Sequence, residues 1–193
     1  MYMSSDIQQS DGPELNRRRF LKLIPLAALA CIAPPSALAA RLEGFSEKRS
    51  LSFYNIHTQE SLQAIYWING KYQPDALARI NYVLRDHRAG QTKPIDIKLL
   101  DLLHVIDKRL AARQPFHVIS GYRSPETNVL LRKQSGGVAR QSYHMLGKAV
   151  DISIPGCRLS QLRDVALNLK RGGVGYYPRN DFIHVDVGPV RYW

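Results

Sequence analysis

Cysteine is nearly absent from the chain: of 193 residues only Cys31 and Cys157 carry a thiol, too few for a disulfide framework. There is no internal repeat and no low-complexity tract, which excludes solenoids, propellers and collagen-like arrays. Long apolar runs are missing as well. The single candidate, Leu23 to Ala40, is interrupted by Pro25, Pro34 and Pro35 and barely reaches the roughly 20 residues that a spanning helix needs. Acidic residues are scarce, 16 against 27 Lys and Arg, giving a formal net charge of +11. The excess is scattered (Lys48, Arg49, Arg85, Arg88, Lys108, Arg109), with no nucleic-acid motif and no basic–aromatic stacking pattern, so nucleic acid is excluded as a partner.

The N-terminus carries an address. Arg17-Arg18-Arg19-Phe20-Leu21-Lys22 is a twin arginine followed by Phe-Leu-Lys, and Ala37-Leu38-Ala39 closes the apolar run with a small-x-small cleavage pattern. This resembles a Tat signal, with Asn16 standing where Ser or Thr is usual, and implies export to the periplasm by the twin-arginine translocase. Residues 1–40 are therefore read as the signal, 41–50 as a charged linker and 51–193 as the functional domain. Ala28-Leu29-Ala30-Cys31 makes a poor lipoprotein box because Ala28 stands where Leu is preferred. Cys31 is accordingly read as an ordinary residue of the signal core, with lipidation as the alternative. Its removal leaves Cys157 without a disulfide partner, just after Pro155-Gly156 in a turn. A basic protein outside the cytoplasm meets anionic polymers such as cell wall, lipopolysaccharide or anionic lipid.

Along the domain, Leu51–Ile56 and Leu62–Ile68 read as strands joined by a hairpin at Thr58–Ser61, and Asn69-Gly70 marks a second turn. Helices are predicted over Pro74–Arg88, Ile97–Arg113 and Ser160–Arg171, and another opens at Ser124-Pro125 and closes at Gly136-Gly137. The expected fold class is α+β, a small antiparallel sheet with helices packed on one side. Two runs alternate with the period of a half-buried strand. In Ala149–Ile154, Asp151 lies opposite Val150, Ile152 and Ile154; in Phe182–Val187, His184 and Asp186 share a face opposite Ile183, Val185 and Val187.

If those two strands are near neighbours in one sheet, Asp151 and His184 share a surface. His144 reaches the same surface from the preceding loop, where Gly147 allows a sharp turn. Two histidines and a carboxylate around one point form the kind of three-ligand set that holds catalytic zinc with a fourth position open. The metal ligands predicted are His144, Asp151 and His184; other divalent ions suit the same donors.

Ser120-Gly121-Tyr122-Arg123-Ser124, Ser142-x-His144-x-x-Gly147-x-Ala149-x-Asp151, Gly172–Tyr177 and Phe182–Asp186 together resemble the zinc peptidases grouped with lysostaphin, D-alanyl-D-alanine peptidase and hedgehog. More closely, they are similar to murein endopeptidases of the MepK type, over about Leu51 to Trp193. The resemblance implies a hedgehog/D-Ala-D-Ala-peptidase-like fold, one Zn2+ per chain on the same three ligands, and peptidoglycan stem peptides as substrate. In several relatives an acidic residue stands three positions before the second histidine, and Asp181 has that place here; it is favoured as general base, with Asp186 as its rival or as the partner that orients a ligand. The family pattern gives Arg123 a substrate carboxylate or the oxyanion to bind. Ser142 hydrogen-bonds either substrate or its own loop, and Tyr176, with Tyr177, either lines the cleft or packs. The function implied is hydrolysis of peptidoglycan cross-links during wall remodelling, of the 4–3 or the 3–3 type. The alternatives are a zinc-bearing wall-binding module without turnover, since hedgehog-type relatives show that hydrolysis can be lost, and a D,D- or L,D-carboxypeptidase.

Overall fold

The computed structural model describes residues 47–134 and 137–193. The expected signal over 1–40 with Cys31, most of the 41–50 linker, and Gly136 lie outside the described residues. No helix among the described residues is long and apolar enough to cross a membrane.

Alternation builds the first hairpin. β1 (Lys48–Asn55) pairs antiparallel with β2 (Ser61–Ile68), and β3 (Lys71–Tyr72) returns across Asn69-Gly70, both at positive φ. β1 thus begins inside the stretch that reads in sequence as linker. α1 (Pro74–Val83) has Pro in its first turn but stops short of the expected Arg88. The cause is Asp86, whose backbone N–H bonds Gln91 O and whose carboxylate accepts from the amides of Arg88 and Ala89, a local alternative to helix continuation. α2 (Ile97–Leu110) starts where the Asp96 carboxylate accepts from Lys98 N and ends at Ala111 in the left-handed region.

β4 (Phe116–Ser120), α3 (Pro125–Gln134), a 3-10 turn (Tyr143–Leu146), β5 (Ala149–Ser153), α4 (Leu159–Leu169), β6 (Gly173–Tyr177), β7 (Phe182–Asp186) and β8 (Arg191–Tyr192) follow. All eight strands form one sheet in the order β3-β2-β1-β4-β5-β7-β6-β8. The fold is α+β as expected, but the sheet is neither small nor purely antiparallel: β1–β4 and β6–β8 pair in parallel. The local patterns that reveal hairpins say nothing about strands far apart in sequence. β1 meets β4 only after α1 and α2 have carried the chain back, and such a crossover makes the strands parallel.

The helix side holds the core. Leu51, Phe53, Phe116, Val118, Val150, Ile152, Ile183 and Val185 alternate inward to meet Ile80 of α1, Leu99, Leu103 and Ile106 of α2, and Leu162 of α4. Each such aliphatic side chain stabilises the fold by about 1.5–3 kcal/mol through burial. α3 stands apart from this core, with only the polar Thr127 and Asn128 buried. Asp151, His184 and Asp186 therefore leave β5 and β7 on the face away from the core.

Candidate metal centre

Antiparallel pairing of β5 with β7 sets Asp151 directly across from His184. His144 arrives from the 3-10 turn, where Ser142 Oγ accepts from His144 N at 3.4 Å. Gly147 ends that turn at φ 66°, and a Cβ there would lie 2.4 Å from Pro94 O, so only glycine fits. Lys148 N then bonds Tyr143 O and the chain enters β5. The result brings three donors together: His144 Nε2 lies 3.3 Å from Asp151 Oδ1 and 3.1 Å from His184 Nδ1, and the last two atoms are 2.9 Å apart. The residues are only 3 %, 7 % and 9 % exposed.

Partners on the far side of each ring decide what faces inward. His144 Nδ1 lies 2.8 Å from the carbonyl of Gly121, which can only accept, so that nitrogen carries the proton. His184 Nε2 lies 3.0 Å from Asp186 Oδ2 and is protonated for the same reason. A metal ion taking the place of the proton that His184 Nδ1 shares with Asp151 would meet both remaining nitrogens and a carboxylate oxygen, three electron-pair donors in one place. Tetrahedral zinc with bonds of about 2.0–2.1 Å needs donors about 3.3 Å apart, close to the distances found. The group His144, Asp151 and His184 can hold a metal ion, and two imidazoles with a carboxylate suit zinc.

The electrostatics agree. Burial pushes His144 below its ordinary value, toward the neutral form a ligand needs. Burial opposes the charge on Asp151, yet His144 and His184 hold its carboxyl well below the usual range. Burial also opposes a charged His184, but its hydrogen bonds to Asp151 and Asp186 raise it to about 9. The two carboxylates thus favour one positive charge between them, on His184 or on an ion in its place.

Asp186 is fully buried and its oxygens are fully engaged. Oδ2 accepts from His184 Nε2 and from Arg191 Nη2 at 2.6 Å; Oδ1 accepts from Arg191 Nη1 and the amides of Gly173 and Gly188. This is the geometry of a group that orients a ligand. Asp181, by contrast, is exposed, at φ 53° between a 3-10 turn and β7, and no hydrogen bond or ion pair among the described residues ties it down.

Arg123 lies beside the triad, 9 % exposed, with Nη2 3.7 Å from Asp151 Oδ2 and 3.2 Å from Ser120 Oγ, and Nη1 3.4 Å from Asn128 Oδ1. Its buried Nε has no protein partner. The loop is pinned on both sides, by Tyr122 N to Leu84 O and by Ser124 N to Asp86 Oδ2. Ser142 Oγ serves its own turn as a cap. Of the two roles open to Tyr176, cleft or packing, the structure has it pack against the core under the guanidinium of Arg163, because strand alternation sends it to the helix side with Val174. Tyr177 takes the other side. Its hydroxyl accepts from Trp193 Nε1 at 2.7 Å, and the Trp193 ring centroid lies 5.3 Å from that of His184.

Several residues of the site escape a reading by sequence. Gly121 acts through its carbonyl and Asp86 acts 38 residues away from Ser124, neither with a local pattern. Arg191 and Trp193 sit on and beside β8, a two-residue strand too short to show a period.

With this geometry in view, comparison with known proteins gives one answer. The family described as peptidoglycan L,D-endopeptidase MepK matches residues 43–193. The chain belongs to the MepK family. Among its members, the peptidoglycan L,D-endopeptidase MepK of Escherichia coli K12 is 43 % identical over 183 residues, covering 95 % of this chain and all of the relative. The protein of the same name from Shigella flexneri matches equally. The probable MepK of Haemophilus influenzae is 41 % identical over 179 residues, 92 % of this chain and 95 % of its own. The MepK match begins eight residues before the expected domain boundary at 51 and takes in β1 entirely.

Proposed function

We propose that the chain is a zinc-dependent murein endopeptidase that hydrolyses peptide cross-links of peptidoglycan, acting in the periplasm after export by the twin-arginine translocase. The observation that carries this is the convergence of His144 Nε2, Asp151 Oδ1 and His184 Nδ1 within 4.8 Å, in a chain of the MepK family. Zinc bound there supplies Lewis-acid polarisation of the scissile carbonyl and an acidified water.

The protein's residues do the rest. Asp181 takes the proton from the attacking water and delivers it to the leaving amine; the full engagement of Asp186 supports this choice, since five hydrogen bonds leave it no lone pair to spare. Asp186 instead fixes the ring of His184. Arg123, with Nη2 3.7 Å from Asp151 Oδ2, binds a substrate carboxylate or the oxyanion. Ser142 shapes the turn that aims His144. Relatives named L,D-endopeptidases support the L,D bond of a 3–3 cross-link as the target, in preference to the D,D bond of a 4–3 link.

The test is digestion of purified 3–3 and 4–3 cross-linked muropeptides, with products separated by chromatography. The zinc-loaded protein is expected to uncouple the 3–3 dimer, His144→Ala to lose zinc and cleavage together, and Asp181→Asn to keep zinc while turnover falls about 10²–10⁴-fold. Release of single amino acids would make it a carboxypeptidase. Sacculus binding without any cleavage would make it a binding module.

A further inference from the structure

The order of strands gives the metal centre two unlike flanks. The ligands stand on β5 and β7 or just before β5. Beyond them on the β4 side lies Arg123, a buried cation; on the β6–β8 side lies Trp193, aromatic and uncharged. Trp193 is not part of the hydrophobic core and is 50 % exposed, although it is one of the two largest side chains in the fold.

Its placement is heavily determined for a half-exposed residue. Its backbone is bonded into the edge of β6, N–H to Val174 O and carbonyl to Tyr176 N. The indole lies over Gly175, the residue paired with His184, where a Cβ would come within 2.7 Å of the ring. Its N–H reaches Tyr177 Oη, the Tyr177 ring stacks on Phe182 at 4.6 Å, and the guanidinium of Arg191 lies 5.2 Å from the indole. These contacts fix a large apolar ring beside a metal ligand and leave half of its surface open.

We infer that Trp193, with Tyr177, forms a substrate subsite on the side of the metal ligands opposite Arg123, which receives an uncharged aliphatic stretch of the stem peptide. A carboxylate at Arg123 and methylene groups against the indole then set the direction in which a cross-link crosses the sheet. Aromatic faces hold aliphatic chains by burial and dispersion with little side-chain entropy lost, which suits recognition of flexible peptide. The assignment rests on the endopeptidase reading above and names part of its specificity.

Two measurements test it. The chain has two tryptophans, and Trp67 is only 8 % exposed, so acrylamide quenching of fluorescence reports mainly on Trp193. Adding uncross-linked muropeptide, a product that is not turned over, is expected to protect Trp193 from the quencher, while acetate, which offers a carboxylate without an aliphatic chain, is not. In steady-state cleavage of the cross-linked dimer, Trp193→Leu is expected to raise KM about tenfold with kcat within about twofold, the pattern of lost uniform binding. Gly175→Ala, which displaces the indole without removing it, is expected to do the same, and Trp193→Phe to restore most of the loss. Bound zinc stays at one per chain throughout. An unprotected Trp193, an unchanged KM, or a fall in kcat or zinc content at constant KM would overturn the subsite and leave Trp193 as packing for His184. Failure of the wild-type protein to cleave any cross-link would instead sink the endopeptidase reading, with protection of Trp193 still deciding the subsite.

Discussion

Strands β5 and β7 present two surfaces built on different physics. Toward the helices they show Val150, Ile152, Ile183 and Val185, all fully buried among other apolar side chains. On the reverse they show Asp151, His184 and Asp186, nearly as deeply buried, each held by named hydrogen bonds. Dispersion and exclusion of water are non-directional, so the first surface accepts many residues of suitable volume. Buried polar groups are the reverse case: every lone pair needs its partner, and removing one strands another. One face decides whether the domain folds and the other what it binds, and the two are separable by experiment.

The largest effect is expected on the polar face, in metal affinity. Asp186→Asn keeps an oxygen near His184 but loses the charge that holds Nε2–H and engages both nitrogens of Arg191. Disturbing such an orienting partner weakens metal binding by about 10–100-fold. Competition against a fluorescent zinc chelator would measure it. Affinity within a factor of two of wild type would show that His184 is held by its strand alone, and the polar face would then be as tolerant as the core.

The second expectation concerns pH and sharpens the same contrast, because the apolar face does not titrate. His184 is raised to about 9 from an ordinary 6.5. Its contribution is complete below pH 6.5 and is lost as pH climbs through about 9. Asp151 and Asp186 are depressed below 3.8, so theirs is complete above that value and lost on further acidification. His144, held below its ordinary 6.5, adds stability that is complete above that value and lost as pH falls beneath it, so after chelation the protein should melt highest near pH 6.5 and lower at pH 9. Zinc, which takes the place of the proton between Asp151 and His184, should remove the alkaline fall. Thermal melts with and without zinc at pH 6.5 and 9 give the answer, and equal alkaline losses in both would refute it.

Legibility in sequence divides along the same line. The apolar alternation of Val150, Ile152, Ile183 and Val185 is written locally, and it places Asp151 and His184 on the reverse face with no further information. That is why the hairpins, the α+β class and the meeting of His144, Asp151 and His184 could be anticipated. Pairings made at a distance could not. The parallel contact of β1 with β4 depends on a crossover of two helices, and the engagement of Asp186 depends on Arg191 and two glycine amides that nothing in the spacing announces. Tyr176 and Tyr177 are neighbours of identical type, and only the register against Ile183 and Phe182 tells the core side from the site side.

The smallest effect is the strictest test of separability. Ile152 is fully buried, adjoins Asp151 in the chain and pairs across the sheet with Ile183, which itself adjoins His184. No core side chain lies closer to both strand ligands by covalent path, so any leak between faces should appear here first. Ile152→Val removes one methylene, with an expected cost of about 0.5–1.5 kcal/mol, read as a lower urea midpoint at unchanged slope. Zinc affinity should stay within about twofold, because the donors are aimed by Gly121 O, Asp186 and the pairing of β5 with β7, which the substitution leaves in place. A tenfold loss of zinc affinity from so small a cavity would mean that core packing sets the distances between donors, and the two faces would have to be treated as one coupled unit.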